Sequence, residues 1–474
     1  MNLKSIIEKI PVIMQLAEYV QKENIQAYVV GGFVRDSILE KQSKDIDIVC
    51  IGSGLELAEG FAKYIGQTEG VEYFKNFGTA HFMSDDVELE FVGARKESYD
   101  RGSRKPIVED GTLEDDLNRR DLTFNAMAIS LSADTFGDLI DMFDGLSDLK
   151  NGIIRTPLDP DITFSDDPLR MLRAVRFYSR FSLTIHDETL ASIIKNRSRL
   201  EIISQQRIHD ELNKILLTKK PSIGFYMLDQ CGLLEMIIPE LTALKGVTRV
   251  NDKGHKDNFK HTLQVLDQAA EVSDNLWFRW AALLHDVGKG PTKRLLDNGW
   301  SFHGHEDVGF GMVREIFKRL CLPLSEKLIY IQTITKYHGK PQQLVEEGVT
   351  DSAIRRLCVN VGNTLDDLLL FCKCDITTAR EDKKLKYVQE IEDLRIKIEA
   401  VRERDNMLNF KVPVEGGDIM AEYKLKPCEL VGVIKKAIKE AILEGVIPND
   451  REAALEFMRS NYEKIKEELE NRVD

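Results

Sequence analysis

Between Ala27 and Val49 the chain reads AYVVGGFVRDSILEKQSKDIDIV. An apolar run ends in Gly31-Gly32, a short helix with Arg35 and Asp36 is expected next, and a second apolar run carries Asp45 and Asp47. Paired glycines at a strand-to-helix turn let the backbone approach phosphate oxygens, and a helix N-terminus favours anions. Residues two apart on a strand point to the same face. Asp45 and Asp47 therefore converge on one point while Ile46 and Ile48 face the core. Two carboxylates beside a phosphate-binding turn suit a pair of magnesium ions, one activating an attacking 3′-hydroxyl, the other holding a triphosphate and its leaving group. A Gly-Gly turn or a D-x-D alone is commonplace; the ordered combination within about 20 residues points to chemistry.

A second constellation lies downstream. Six of the nine histidines fall between His255 and His338, and His285-Asp286 directly follows an apolar WAALL run. Imidazoles and carboxylates together suit a transition metal or magnesium with positions left open for water. Lys289 is a candidate phosphate holder, and His305 and His338 are candidate auxiliary ligands or general acids. His255 and His303 stay undecided. Asp375 follows in KCDIT.

Asp167 and Arg170 are three apart, which on a helix gives them one face. A carboxylate accepts from an exocyclic amine and a guanidinium donates to ring nitrogens or carbonyls. Cytosine and adenine both offer an amine beside a ring acceptor, whereas guanine and uracil invert that pattern. One Asp/Arg pair can thus accept CTP and ATP and reject GTP and UTP without a template. The plainer alternative is an intrahelical ion pair worth about 0.3–0.5 kcal/mol. Arg173 and Arg176 continue the spacing, as structural or phosphate-facing groups.

These motifs resemble the class II tRNA nucleotidyltransferases (CCA-adding enzymes) and bacterial poly(A) polymerases, within the polymerase-β-like superfamily. GGFVRD with DIDIV resembles the head of that family. The resemblance makes Asp45 and Asp47 the magnesium-binding catalytic pair, and Gly31, Gly32 and Arg35 part of the nucleotide site. Arg119, Arg120, Asp121 and Asn125 stand in a stretch similar to the RRDxTxNA motif, which contacts ribose and triphosphate. Asp144-Gly145 with Asp148-Leu149 resembles the element joining head to neck. The run from Asp167 to Phe177 resembles the nucleotide-selecting helix, which places Asp167, Arg170, Arg173 and Arg176 at the nucleotide, and Arg207 to Lys214 resembles the last neck element. Asp166 and Gln206 depart from the glutamates usual at those positions. Residues 95–118 look like the family's flexible loop, with Asp100 and Arg104 spaced as in enzymes that add the terminal A; an ordinary surface loop is the other reading. Glu88 and Glu90 on the preceding strand read as a solvated face, with a third metal-proximal carboxylate as the alternative. His261, His285, Asp286 and Asp375 resemble the ligand set of HD-domain phosphohydrolases, implying a second divalent metal of unspecified identity. The family implies tRNA, CTP and ATP as partners. Rival readings are a poly(A) polymerase, an enzyme adding only CC or only A, and a phosphohydrolase with an RNA-binding head.

The elements that must position these groups follow from the rest of the chain. Short β-rich runs (AYVV, DIDIVC, HFMS, VELEFVG, AMAISL) predict a small sheet across residues 25–130. From about residue 160 helical periodicity takes over, with breaks at Pro221, Pro239, Pro291, Pro323, Pro341, Pro413 and Pro448. The expected fold class is α+β: a polymerase-β-like head, a small mixed sheet with helices, followed by an all-α neck, body and tail that include an HD-type helical domain. The expected domains are 1–150 (head), 151–245 (neck), 246–385 (HD type) and 386–474 (tail). The N-terminus reads as an amphipathic helix, residues 381–408 as a charged helix and residues 428–470 as helices, with Gly416-Gly417 as a turn.

With 43% hydrophobic and 30% charged residues in 474, global disorder is excluded. No run is long enough to span a bilayer and no signal-peptide pattern is present, so a cytoplasmic protein without membrane partners is expected. Seven scattered cysteines argue against a disulfide framework. The net charge of −14 weighs against nucleic acid. Against it stand a local basic run, Arg170, Arg173, Arg176 and Arg180, and a second through Lys195, Arg197, Arg199 and Arg207. Composition does not fix the oligomeric state.

Overall fold

The computed structural model describes residues 1–75, 78–98, 107–246, 249–250, 253–254, 257–296, 299–405, 407 and 410–471. Two compact units form: Met1–Thr242 with Arg319–Leu322, and Ala243–Lys318 with Pro323–Asp474.

The first unit is built on a seven-stranded sheet. Its strands are β1 (Ala27–Val30), β2 (Asp45–Cys50), β3 (Glu72–Phe74), β4 (Thr79–Ser84), β5 (Val87–Gly93), then β8 (Met127–Ser130) and β9 (Leu139–Asp141), in the order β3-β4-β5-β2-β1-β8-β9. Only β2 and β5 pair in parallel, so the sheet is mixed. Alternation fixes its faces. Ile46 and Ile48 are buried while Asp45 and Asp47 point the other way. Helix Gly54–Tyr64, capped by Ser53, adds Phe61 to a fully buried cluster with Phe82 and Phe91.

Three local expectations are corrected here. The N-terminal stretch is two helices, Lys4–Ile7 and Pro11–Lys22, divided because Pro11 occupies a first-turn position. Residues 95–118, expected as a loop, contain regular structure at both ends. Strand β6 (Arg95–Ser98) pairs with β7 (Ile107–Asp110), and helix Leu113–Asn118 follows under a Thr112/Asp115 capping box. Asp100 and Arg104 lie outside the described residues, as does His255. Finally, Asp167 and Arg170 do not share one helix. Pro168 disfavours helical backbone in the residue before it. Asp167 is accordingly extended (φ −132°, ψ 99°) and separates helix Pro160–Asp166 from helix Leu169–Phe181.

Beyond the sheet and the β6–β7 ribbon the described residues are mainly helical, with three further two-stranded ribbons among them. Pro221, Pro239 and Pro341 each sit at the start of a helix. In the second unit, helices Asn258–Val272, Leu276–Leu284, Glu326–Tyr337 and Leu365–Cys374 pack together. The charged helix runs Glu381–Arg404. Gly416-Gly417 opens helix Gly416–Tyr423, which with Glu429–Leu443 and Arg451–Glu470 encloses its own core around Ile419, Ile434, Ile438 and Met458. All seven cysteines are free. Among the described residues no helix is long and apolar enough to cross a membrane.

Candidate nucleotide cavity and candidate metal centre

The carboxyl-side end of β1 opens into a cavity of about 1170 Å³ in the first unit. Gly31 ends the strand with φ +72°, a conformation open to glycine at little cost. A Cβ there would lie 2.8 Å from Arg120 Nη1 and 3.1 Å from Asp47 Oδ2, so the missing side chain makes room for both. Helix Gly32–Ile38 begins at the turn, its first N–H groups lacking intrahelical acceptors.

Asp45 and Asp47 line this cavity, and β2 sets them opposite Glu88 and Glu90 on the parallel neighbour β5. All four carboxylates border it. Burial raises the Asp47 carboxyl; Arg120 opposes the rise, and Asp45 and Asp116 add to it. Burial also raises Glu90, with Asp47 contributing. A cation at this point would relieve the crowding, so the residues fit a divalent metal.

The remaining predicted nucleotide-binding residues meet at the same cavity. Arg35 is buried, donates through Nε and Nη2 to Asp36 at 2.8 Å each, and reaches Asn125 Oδ1 at 2.6 Å. Its guanidinium lies 5.0 Å from the Phe177 ring centre. Asp121 accepts from Asn125 Nδ2 at 2.9 Å and from Arg173 Nε at 2.6 Å. Burial disfavours its charge, but Arg173 and Asn125 prevail and hold the carboxyl at about 2. Arg170 donates to two main-chain carbonyls, Thr163 O at 3.2 Å and Arg119 O. Asp167 instead pairs with Arg207 at 2.9 Å. Arg176 lies 3.3 Å from Glu211, and burial lowers it to about 10. Thr123 donates to Asp148 at 2.8 Å, tying the head-to-neck element to the RRD stretch.

Eleven arginines and lysines and seven carboxylates line the cavity, so it is locally positive on an acidic chain. Motif spacing missed Asp116, and it gave no role to Arg180, which also lines the cavity. Asp116 stands in a polar, acidic stretch whose composition reads as solvated; its i,i+3 and i,i+4 spacing to Arg119 and Arg120 was the available signal.

The second unit gathers the histidines. His285 caps the apolar helix Leu276–Leu284, and both His285 and Asp286 are fully buried. Asp286 Oδ2 lies 3.5 Å from His261 Nε2 and 3.3 Å from His285 Nε2. Its Oδ1 lies 3.5 Å from His305 Nε2 and 3.6 Å from His338 Nε2. Asp375 Oδ1 adds contacts of 3.0 Å to His261 and 3.6 Å to His285. Lys289 Nζ sits 2.6 Å from Asp286 Oδ2.

Tautomers follow from the outer partners. The Nδ1 atoms of His285, His305 and His338 face the carbonyls of Ala282, Phe302 and Thr335 at 2.9, 3.0 and 2.8 Å. A carbonyl only accepts, so each Nδ1 carries a proton, and in the neutral ring Nε2 then turns a lone pair inward, as metal-ligating histidines do. His261 Nδ1 meets Thr377 Oγ1 at 2.8 Å. Burial pushes His338 down to about 4 and also lowers His305, keeping both neutral. For His285 burial is outweighed by Asp286, and the value rises. His285 Nε2 and Asp286 Oδ1 are buried without a hydrogen bond. Such orphaned donor atoms fit a divalent cation. His303 is exposed and outside the cluster.

Three family models match successive parts of the chain. Residues 27–155 match the poly(A) polymerase head domain, 182–245 the probable RNA and SrmB-binding site of polymerase A, and 258–358 the HD domain. Among solved structures, the Thermotoga maritima CCA-adding enzyme complexed with tRNA matches with TM-score 0.59 and 22% identity, over 98% of this chain and 99% of that one. A CCA-adding enzyme in complex with CTP matches with TM-score 0.61 and 24% identity, over 98% and 99%. A tRNA nucleotidyltransferase complexed with a primer tRNA and an incoming ATP analog matches with TM-score 0.57 and 25% identity, over 81% and 99%. Head fold and cavity together define a nucleotidyltransferase. The chain belongs to the CCA-adding enzyme and poly(A) polymerase family that carries an HD domain.

Proposed function

We propose that this protein adds CCA to tRNA 3′ ends from CTP and ATP without a template. The observation that carries the reading is that the Asp45/Asp47 pair and the Asp167/Arg170 pair border one cavity. Asp45 and Asp47 hold magnesium, which supplies activation of the 3′-hydroxyl and neutralisation of the triphosphate. The Gly31-Gly32 turn admits phosphate oxygens, and Arg119 and Arg120 bind them. Asp167 accepts from the exocyclic amine shared by cytosine and adenine, and Arg170 donates to the adjacent ring acceptor. Arg207 braces Asp167, while Asp121 and Asn125 fix Arg173 and Arg35. The RNA hydroxyl attacks the α-phosphate in line and pyrophosphate leaves. Residues 1–150 serve as head, 151–245 as neck, 246–385 as HD-type domain and 386–474 as tail.

The test uses tRNA transcripts ending before CCA, at C and at CC, each with labelled nucleotides and sequencing of the product ends. Completed CCA is expected. A long A tail would make the protein a poly(A) polymerase, and arrest at CC or failure before it would make it a partial enzyme. Asp47→Ala should lower addition by about 1000-fold or more; retained activity overturns the assignment.

The inward lone pairs around Asp286 favour a second activity. His261, His285, Asp286 and Asp375 hold a divalent metal, with His305 and His338 as further ligands, for hydrolysis of a phosphate ester. Opening of a 2′,3′-cyclic RNA end to a terminal phosphomonoester by the metal-loaded protein, or release of phosphate from that monoester, checks this.

A further inference from the structure

Asp116 is fully buried beside the cavity but does not line it. It sits in helix Leu113–Asn118, and Arg119 and Arg120 follow at i+3 and i+4, where one helical carboxylate can reach both. Both reach it. Arg119 donates to Oδ1 through Nε at 2.9 Å and through Nη2. Arg120 donates to Oδ2 through Nε at 3.2 Å and Nη2 at 3.0 Å. Each carboxylate oxygen is thus given to one guanidinium. A buried carboxylate persists only when so paired.

Two neighbouring guanidiniums repel one another, and Asp116 is what keeps this pair side by side. The arrangement extends outward on both sides. Arg120 lies over Gly31, with Nη1 3.4 Å from Asn125 O. The Arg119 carbonyl accepts from Arg170. One carboxylate therefore holds the guanidinium that lies over the phosphate turn beside its neighbour.

We propose that Asp116 is a positioning residue that fixes Arg119 and Arg120 as a single cationic clamp for the nucleotide triphosphate. This rests on the nucleotidyl-transfer reading above. Asp116 touches no substrate and acts through the two arginines.

The experiment compares wild type, Asp116→Asn, Arg120→Gln and the double variant in the full chain, in steady-state addition to tRNA ending at CC and before CCA. In Asp116→Asn the KM for CTP and that for ATP should rise together by about tenfold, with kcat changed by less than about threefold and the KM for tRNA unmoved. The double variant should be no worse than about twofold below Arg120→Gln, because both changes remove one clamp. A fall in kcat at unchanged nucleotide KM, a rise for only one nucleotide, or fully multiplicative losses would overturn the proposal. Thermal melting monitors folding. If Asp116→Asn does not fold, Arg119→Gln and Arg120→Gln decide, since neither raising the nucleotide KM would equally refute it. If wild type itself adds no nucleotide, the parent reading fails instead, and calorimetric binding of CTP to the same proteins then tests the clamp separately.

Discussion

The two candidate centres solve the problem of crowded carboxylates in different ways. In the head cavity the charge is distributed. Asp45, Asp47, Glu88 and Glu90 border an open space in which arginines outnumber them, and Arg120 already offsets Asp47. In the second unit the carboxylates are enclosed by imidazoles whose outer nitrogens are pinned to main-chain carbonyls. Lys289 is the one cationic side chain in contact with Asp286 there among the described ion pairs. The first arrangement suits charges that arrive and leave with a substrate. The second is preorganised, and its orphaned Nε2 and Oδ1 atoms cost stability unless a cation takes them. Under the proposed function, openness suits a passing triphosphate and preorganisation a resident ion.

The comparison breaks most directly at Asp286. Asp286→Ala removes the carboxylate shared by both histidine pairs and should lower metal affinity by more than about 100-fold. Elemental analysis of the purified variant checks it, and nucleotide addition by the same sample should persist. Unchanged metal content would mean that the ring orientations serve packing alone. A smaller effect is expected from Gly31→Ala, which strains the backbone at φ +72° and pushes a methyl against Arg120 and Asp47. Nucleotide KM should rise by about tenfold, and stability should fall by about 1–2 kcal/mol in denaturant titrations. A silent variant would show that the turn does not hold the phosphates.

The smallest effect sharpens the electrostatic contrast. Asp121 sits at about 2, below the ordinary 3.8. The folded state therefore favours its ionised form, giving stability that is present above pH 4 and lost as pH falls through 2. By linkage this amounts to about 2 kcal/mol at neutral pH, of which about 1 kcal/mol is gone by pH 3. Denaturation midpoints at pH 6 and pH 3 should show that Asp121→Asn lacks this part of the acid sensitivity. An identical pH slope in both proteins would remove Asp121 from the account.

Much of this was legible in the chain, for physical reasons that differ by region. Strand alternation around Ile46 and Ile48 is a rule of period two, so the shared side of Asp45 and Asp47 could be read directly. The β5 run VELEFVG matches Val87–Gly93 for the same reason. The helical reading of Asp167 and Arg170 failed because Pro168 overrides their three-residue spacing; that proline was in plain view. The ends of the 95–118 stretch were misread as loop because two short paired strands rich in polar residues lack the alternation that marks a buried strand. Asp116 was missed because composition cannot show that an acidic residue in an acidic run is the buried one. The long-range meetings, Asp167 with Arg207 and Asp286 with His305 and His338, depend on tertiary packing that no local pattern encodes.

One consequence follows from how Arg170 is held. Its guanidinium is fastened to the main chain at Thr163 and Arg119 rather than to a side chain. Exchanging the side chains of Thr163 and Arg119 leaves both acceptors in place, because they are peptide carbonyls. On the proposed function, a change of preferred base that kept this arginine would require the main chain at Thr163 and Arg119 to shift, so that substrate choice and backbone path would evolve as one trait.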